Sequence, residues 1–195
     1  GGYAGAVLVP NLLEAGYAVR VLDVFMYGRE ALRDVEAHPD LEIHVGDIRS
    51  SEAREQALVG VDAVLHLAAI SNDPSSDLDP QLAREVNYDA IVELLGDAKR
   101  AGVRRFVLAS SSSVYGVKEV PDVTEELALD PITLYAKLKA DSEKIALASA
   151  DSSFIVTVLR PATLCGYSPR QRLDLTVNIL THHAIDFQKI TVFGG

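Results

Sequence analysis

Residues 134–139 read LYAKLK and place a phenol, Tyr135, four positions before an amine, Lys139. On a helix that spacing puts both side chains on one face. Free tyrosine titrates near ~10 and is a poor base at neutral pH, but a neighbouring ammonium stabilises the phenolate. A tyrosine activated in this way can take the proton of an alcohol as its carbon gives up a hydride. Upstream, an apolar run ends in four serines, Ser110–Ser113. Hydroxyls at the C-terminal end of a parallel strand lie where such sheets bind ligands, and one of them could hold a substrate oxygen and relay its proton to Tyr135. Each element also has a plainer reading. A Tyr–Lys pair at this spacing arises by chance, and serines end strands as turn and cap residues.

A third group sits at the other end of the chain. Gly2 and Gly5 run into an apolar helical pattern, followed by VRVLD ending in Asp23. Dinucleotide sites use glycines to let a helix N-terminus approach a pyrophosphate, and an acid roughly 20 residues on to bind the adenosine ribose. An acid at that point bonds the ribose 2′-hydroxyl and repels a 2′-phosphate, so Asp23 favours NAD over NADP. The alternative is a glycine-rich end and an acid that merely closes a strand.

The elements that must position these groups alternate along the 195 residues. Apolar β-branched runs predict strands over 17–23, 41–47, 61–69, 104–111, 154–161 and 189–193. Helical patterns fall at 4–15, 29–37, 50–59, 80–101, 134–149 and 172–185, with Pro10 set to loosen the first. Residues 70–80 and 116–131 read as loops rich in acids, Ser and Pro. Strands alternating with helices predict an α/β fold, a doubly wound parallel sheet covered on both faces. A formal net charge of −10 argues against a nucleic-acid partner. Cys165 stands alone, so no intrachain disulfide forms and a reducing, cytoplasmic setting is the default. No apolar run approaches a membrane span.

Taken together, GYAG, VRVLD, VGDIRS, VLHLAA, VNYDA, SSSSVYG, YAKLK, LRPATLCG and ITVFGG, in this order and spacing, resemble the extended short-chain dehydrogenase/reductase family. The similarity is to its NAD-dependent nucleotide-sugar epimerases and dehydratases, of the UDP-glucose 4-epimerase type. It implies a Rossmann-like domain over 1–165 and the start of a smaller substrate-binding lobe over 166–195. It also implies that the first strand and first glycine precede residue 1 and that the chain continues past residue 195. By the resemblance, the cofactor is NAD. Gly2 and Gly5 approach its pyrophosphate, Asp23 takes the ribose, and Asp47 and Ile48 flank the adenine. Leu67, Ala68 and Ala69 lie along the cofactor, Asn87 is a buried neighbour, and Pro161 and Thr163 lie beside the nicotinamide. Ser111 matches the catalytic hydroxyl, Tyr135 the base, and Lys139 the residue that binds the nicotinamide ribose and lowers the tyrosine's pKa. Ser111, Ser112, Tyr135 and Asn178 match substrate-contacting positions, the substrate being a nucleotide-diphosphate sugar. A homodimer paired through the helices at 80–101 and 134–149 is implied as well.

Two departures matter within the family. The 4,6-dehydratases carry an acidic pair after the catalytic hydroxyl, where this chain has Ser112 and Ser113. Epimerisation through a 4-keto sugar therefore fits better than elimination. Cys165 replaces the aromatic residue usual at its position. A 4-ketoreductase, a dehydratase or a decarboxylating oxidase of the same family is the alternative, as is a non-catalytic NAD sensor on the same fold. The adjacent His182 and His183 diverge on a helix and make a poor metal pair, so no metal is expected.

Overall fold

A computed structural model describes residues 1–192. The chain divides into two compact units. One comprises Gly1–Val19, Phe25–Glu42 and the residues from Thr163 on; the other comprises Arg20–Val24 and Ile43–Ala162.

In the first unit, helix α1 (Gly5–Glu14) buries Ala6, Val9 and Leu13 and packs against a 3-10 helix, Glu30–Val35, whose Leu32 is buried. α1 continues through Pro10 rather than stopping there. The helix predicted over 29–37 is this shorter 3-10 segment, with a single buried residue facing inward. Helix α7 (Thr176–Asp186) starts four residues later than its pattern suggested. The strand predicted at 189–193 does not form over 189–192, and its last residue lies outside the described residues.

The second unit holds the parallel sheet β3 (Ala63–His66), β4 (Arg105–Ala109) and β5 (Ile155–Leu159), in that order with β4 central. Its register pairs Val64 with Phe106 and Phe106 with Val156. Because β4 has neighbours on both sides, Phe106 and Leu108 are wholly buried. Helix α5 (Ala90–Arg100) lays Ile91, Leu94, Leu95 and Ala98 onto that core, and Leu58 of α2 (Ser51–Leu58) and Phe154 close it. Spacing of three and four between those α5 residues is the stripe a 3.6-residue period presents to one side. Helix α6 (Leu134–Ala148) packs on α5 and β5. A separate two-stranded sheet joins β1 (Val19–Asp23) and β2 (Leu41–Val45). The described strands thus fall into two sheets, and the fold is α/β as expected.

Residues 70–80, read as loop, contain helix α3 (Asp73–Leu78). Asn72 caps it by accepting from the Ser75 N–H at 2.8 Å, and Pro74 sits where a helix tolerates it. Helix α4 (Pro80–Arg84) and α5 are joined by one π-helical turn, Glu85–Asp89, within the single helix predicted for 80–101. Truncating the central core ring tests this packing. Phe106→Ala should lower unfolding free energy by about 3–5 kcal/mol in urea titration, through lost burial plus a cavity.

Candidate active site

The serine run starts where β4 ends. Ser110 N–H still bonds Leu159 O at 2.8 Å, and Ser112 N–H bonds Pro161 O at 2.9 Å, so the β5 exit tracks the β4 exit. Between them Ser111 is extended and caps a 3-10 helix, Ser112–Tyr115. Its hydroxyl oxygen accepts from Ser113 N–H at 3.2 Å and from the Ser113 hydroxyl at 2.9 Å. Ser113 thus fixes the position of the Ser111 hydroxyl through two hydrogen bonds. Gly116 then turns the chain at φ +68°, and a Cβ there would collide with the Asp130 carbonyl. Only glycine allows residues 116–130 to fold back so closely.

Thr133 caps α6 by accepting from the Ala136 N–H at 3.2 Å. The helix carries Tyr135, Lys139 and Glu143 at successive four-residue steps. The Lys139 side chain is 3% exposed; Nζ donates to Ala109 O at 2.8 Å and lies 5.8 Å from the Tyr135 ring centroid. Burial pulls the Lys139 pKa down to about 8, opposed by the charge of Glu143. The ammonium is thus fixed at the β4 terminus, beside the tyrosine, with its charge held only weakly in the alkaline range. Among the described residues of this unit, the structure brings Tyr135 and Lys139 together at the strand end that leads into Ser111.

The remaining predicted positions are placed as follows. Asp23 ends β1, and its carbonyl accepts from Gly46 N–H at 3.0 Å. The Asp47 carboxylate is held by Arg49, which keeps it below the usual range, while the Ile48 carbonyl accepts from Arg54 at 2.8 Å. Leu67, Ala68 and Ala69 follow β3, the first two exposed. Asn87 is buried and clasps Ile70 twice: Oδ1 accepts from its N–H at 2.8 Å and Nδ2 donates to its carbonyl at 3.0 Å. Pro161 and Ala162 end this unit.

In the first unit, Gly2 has open space where a side chain would stand. Gly5 begins α1, whose N-terminus has neither a capping side chain nor an acid in its first turn. Its Ala6 and Val7 N–H groups bond the Gly2 and Ala4 carbonyls at 2.8 and 3.2 Å, and the positive end of the helix dipole suits an anion. Thr163 is exposed. Asn178 is buried, with Nδ2 donating to the Tyr3 hydroxyl and Arg172 O and Oδ1 accepting from Gly166 N–H. Its amide protons are therefore committed to the fold. His182 pairs with Asp186 at 2.9 Å. Among the described residues, no group of three or more His, Cys, Asp or Glu could hold a metal ion, and no helix is long and apolar enough to cross a membrane.

Several residues that shape the site are missed or read only in part from the sequence: Glu143, Arg160 and His66 are given no role, Ser110 is one of the candidate hydroxyls, and Tyr115 reads as packing or a substrate wall. Ser110, Glu143, Arg160 and Tyr115 form a buried network behind Ser111. Glu143 continues the Tyr135–Lys139 spacing by one more turn, which is the signal that could have found it. His66, at the end of β3, is 3% exposed, stacks on Phe106 at 6.2 Å, and has no hydrogen-bond partner at Nε2. No periodicity marks it.

The fold is Rossmann-like, with Tyr135 and Lys139 at the strand end that leads into Ser111. The chain belongs to the NAD dependent epimerase/dehydratase family, whose profile matches residues 1–195. It is 30% identical over 192 residues to the human sterol-4-alpha-carboxylate 3-dehydrogenase, decarboxylating, covering 95% of this chain and 48% of that protein. It is also 30% identical to the UDP-glucose 4-epimerase of Lactobacillus helveticus, covering 99% of this chain and 61% of that one. Among solved structures, the dTDP-glucose 4,6-dehydratase DesIV of Streptomyces venezuelae, a double mutant with NAD bound, matches with a TM-score of 0.85 at 31% identity. That match covers 99% of this chain and 62% of that one. The chain thus spans about half to three-fifths of the relatives it matches.

His66 supplies a pH test of this unit. Burial, with Lys139 nearby, depresses its pKa from 6.5 to about 3. Between those values the unfolded chain binds a proton that the folded chain does not, so stability falls as pH falls below 6.5. The loss from pH 6.5 to pH 5 should be about 2 kcal/mol. His66→Leu should flatten that part of the stability–pH curve measured by urea unfolding.

Proposed function

We propose that this chain is the NAD-binding core, with part of the substrate lobe, of an NAD-dependent nucleotide-sugar 4-epimerase. The observation that carries the reading is the fixed Lys139 ammonium beside Tyr135, at the strand end that leads into Ser111. Ser111 holds the sugar C4 oxygen and relays its proton, Tyr135 takes that proton, and Lys139 stabilises the phenolate and holds the nicotinamide ribose. The pyrophosphate is held at Gly2, Gly5 and the uncapped start of α1, the adenosine ribose at Asp23, and the adenine beside Asp47 and Ile48. Leu67, Ala68, Ala69, Pro161 and Thr163 line the cofactor, and Asn87 supports it by fixing Ile70. When bound, NAD supplies the hydride acceptor and donor. The 4-keto sugar turns over before hydride returns to its other face.

Ser112 and Ser113 favour epimerisation over elimination. Ser113 is a hydroxyl bonded to Ser111 and has no carboxylate with which to remove a proton at C5. Asn178, its amide protons engaged with Tyr3 and Arg172, supports the substrate lobe in preference to contacting the diphosphate. A homodimer and a cytoplasmic location belong to the same reading. The likeness to a decarboxylating sterol dehydrogenase favours one second reading, in which the same triad oxidises an alcohol and hydride is not returned.

The test is turnover of a panel of UDP- and dTDP-sugars and a 3-hydroxysteroid acid by the full-length gene product. Tyr135→Phe should lower kcat by at least about a thousandfold and leave NAD affinity within about twofold. Because the charged form of Lys139 is the active one, kcat should fall as pH rises through about 8. Persistence of activity in Tyr135→Phe would remove the mechanism. Net NADH release on the steroid acid, with no sugar epimerised, would select the second reading.

A further inference from the structure

Behind the serine run lies a buried ion pair that the proposed reaction does not use. Glu143 is 1% exposed. Arg160, just past β5, approaches it as a fork, Nη2 to Oε2 at 2.7 Å and Nε to both oxygens at 3.1 Å. The Ser110 hydroxyl donates to the same carboxylate. Arg160 also donates to the Tyr115 hydroxyl at 2.9 Å, and its guanidinium lies 5.0 Å from that ring's centroid. The β4 exit through Ser110 and the β5 exit through Arg160 thus meet on the α6 carboxylate, and the 3-10 helix joins them through Tyr115 on Arg160.

The placement is specific to the site. Ser110 precedes Ser111, Tyr115 ends the short helix that Ser111 caps, and Glu143 is one turn beyond Lys139 on the helix that carries Tyr135. A buried ion pair is weak as a source of net stability, since desolvation offsets most of its attraction. Its fork geometry, however, fixes distance and orientation. Among the described residues, the charged and titratable groups shown to act on Lys139 are Tyr135 and Glu143 on its own helix and His66 from β3, with Arg160 paired to Glu143. Buried and deprived of a proton-binding partner, His66 is neutral at physiological pH. Glu143 is therefore the negative charge available to offset the cost of burying the ammonium.

We propose that Glu143 is a positioning residue for the Ser111–Tyr135–Lys139 set. Braced by Arg160 and Ser110, it holds α6 at a fixed spacing from the β4 and β5 exits and keeps Lys139 charged. This rests on the catalytic reading for its consequence in turnover, but not for its effect on Lys139.

Two variants of the full-length protein separate the contributions. Glu143→Gln retains shape and one hydrogen-bonding oxygen but removes the charge. It should lower the Lys139 pKa by about one unit, read by NMR titration of isotope-labelled lysine, and move the alkaline limb of kcat down by the same amount. Arg160→Lys keeps a positive charge and breaks the fork. It should cut kcat by about tenfold, leave KM for NAD within about twofold and leave the Lys139 titration in place. A Lys139 titration unmoved in Glu143→Gln would overturn the proposal, as would unchanged kcat in Arg160→Lys. If Lys139 shifts as expected while Tyr135→Phe still turns over, the electrostatic role of Glu143 stands and the catalytic reading fails.

Discussion

An ammonium buried to 3% exposure has to be anchored, and the Lys139 anchor is a backbone carbonyl, Ala109 O. That bond joins the middle of α6 to the last residue of the central strand. Everything that could take part in proton transfer is referred to it. Tyr135 lies one turn before Lys139 on the same helix, and Ser111 lies two residues beyond the acceptor on the same strand exit. The cost of burial also makes the charge conditional, since it draws the pKa to about 8. A lysine on the surface would be charged at any physiological pH and would organise nothing. Here the same desolvation that weakens the charge concentrates its field on the adjacent ring.

The rest of the unit serves to make that strand exit rigid. β4 is the middle strand, so its Phe106 and Leu108 are packed on both sides, and its register to β5 continues past the sheet through Ser110 and Ser112. The Asp130 carbonyl, pressed against Gly116, closes the far side. On the other strand exit, Asn87 pins Ile70 with both ends of its amide. Each of these contacts uses a backbone group that would otherwise be left without a partner where a strand stops.

Much of this was legible in the sequence because it repeats. The Tyr135–Lys139 step, the VLASSSS strand end and the alternation of strands with helices are all period signals. The apolar stripe of α5 was equally plain. What escaped lacks a period or depends on contacts far along the chain. Helix α3 rests on one cap, Asn72, in a stretch whose acids and prolines read as loop. The segment 30–35 carries one buried leucine, too little to separate a 3-10 from an α-helix. Arg160 and Glu143 are 17 residues apart, and Ser110 and Glu143 are 33 apart, so their convergence is a property of the sheet order rather than of any local pattern. Asn178 entered only through the resemblance, as a substrate-contacting position, and its bond to Tyr3 spans 175 residues of chain.

The π-helical turn at Glu85–Asp89 bears on how this chain tolerates changes in length. A π-turn accommodates one residue more than the α-helix on either side of it, so the extra residue is absorbed between α4 and α5. The widened turn is where Asn87 clasps Ile70 and where its own carbonyl accepts from Ser142 at 2.7 Å. A one-residue deletion there would let the two helices fuse into a regular α-helix at little backbone cost. Side chains on either side would keep their faces, because the widened turn absorbs the extra residue locally, but the clasp on Ile70 would be lost. The site therefore constrains the number of residues in that helix as well as their identity.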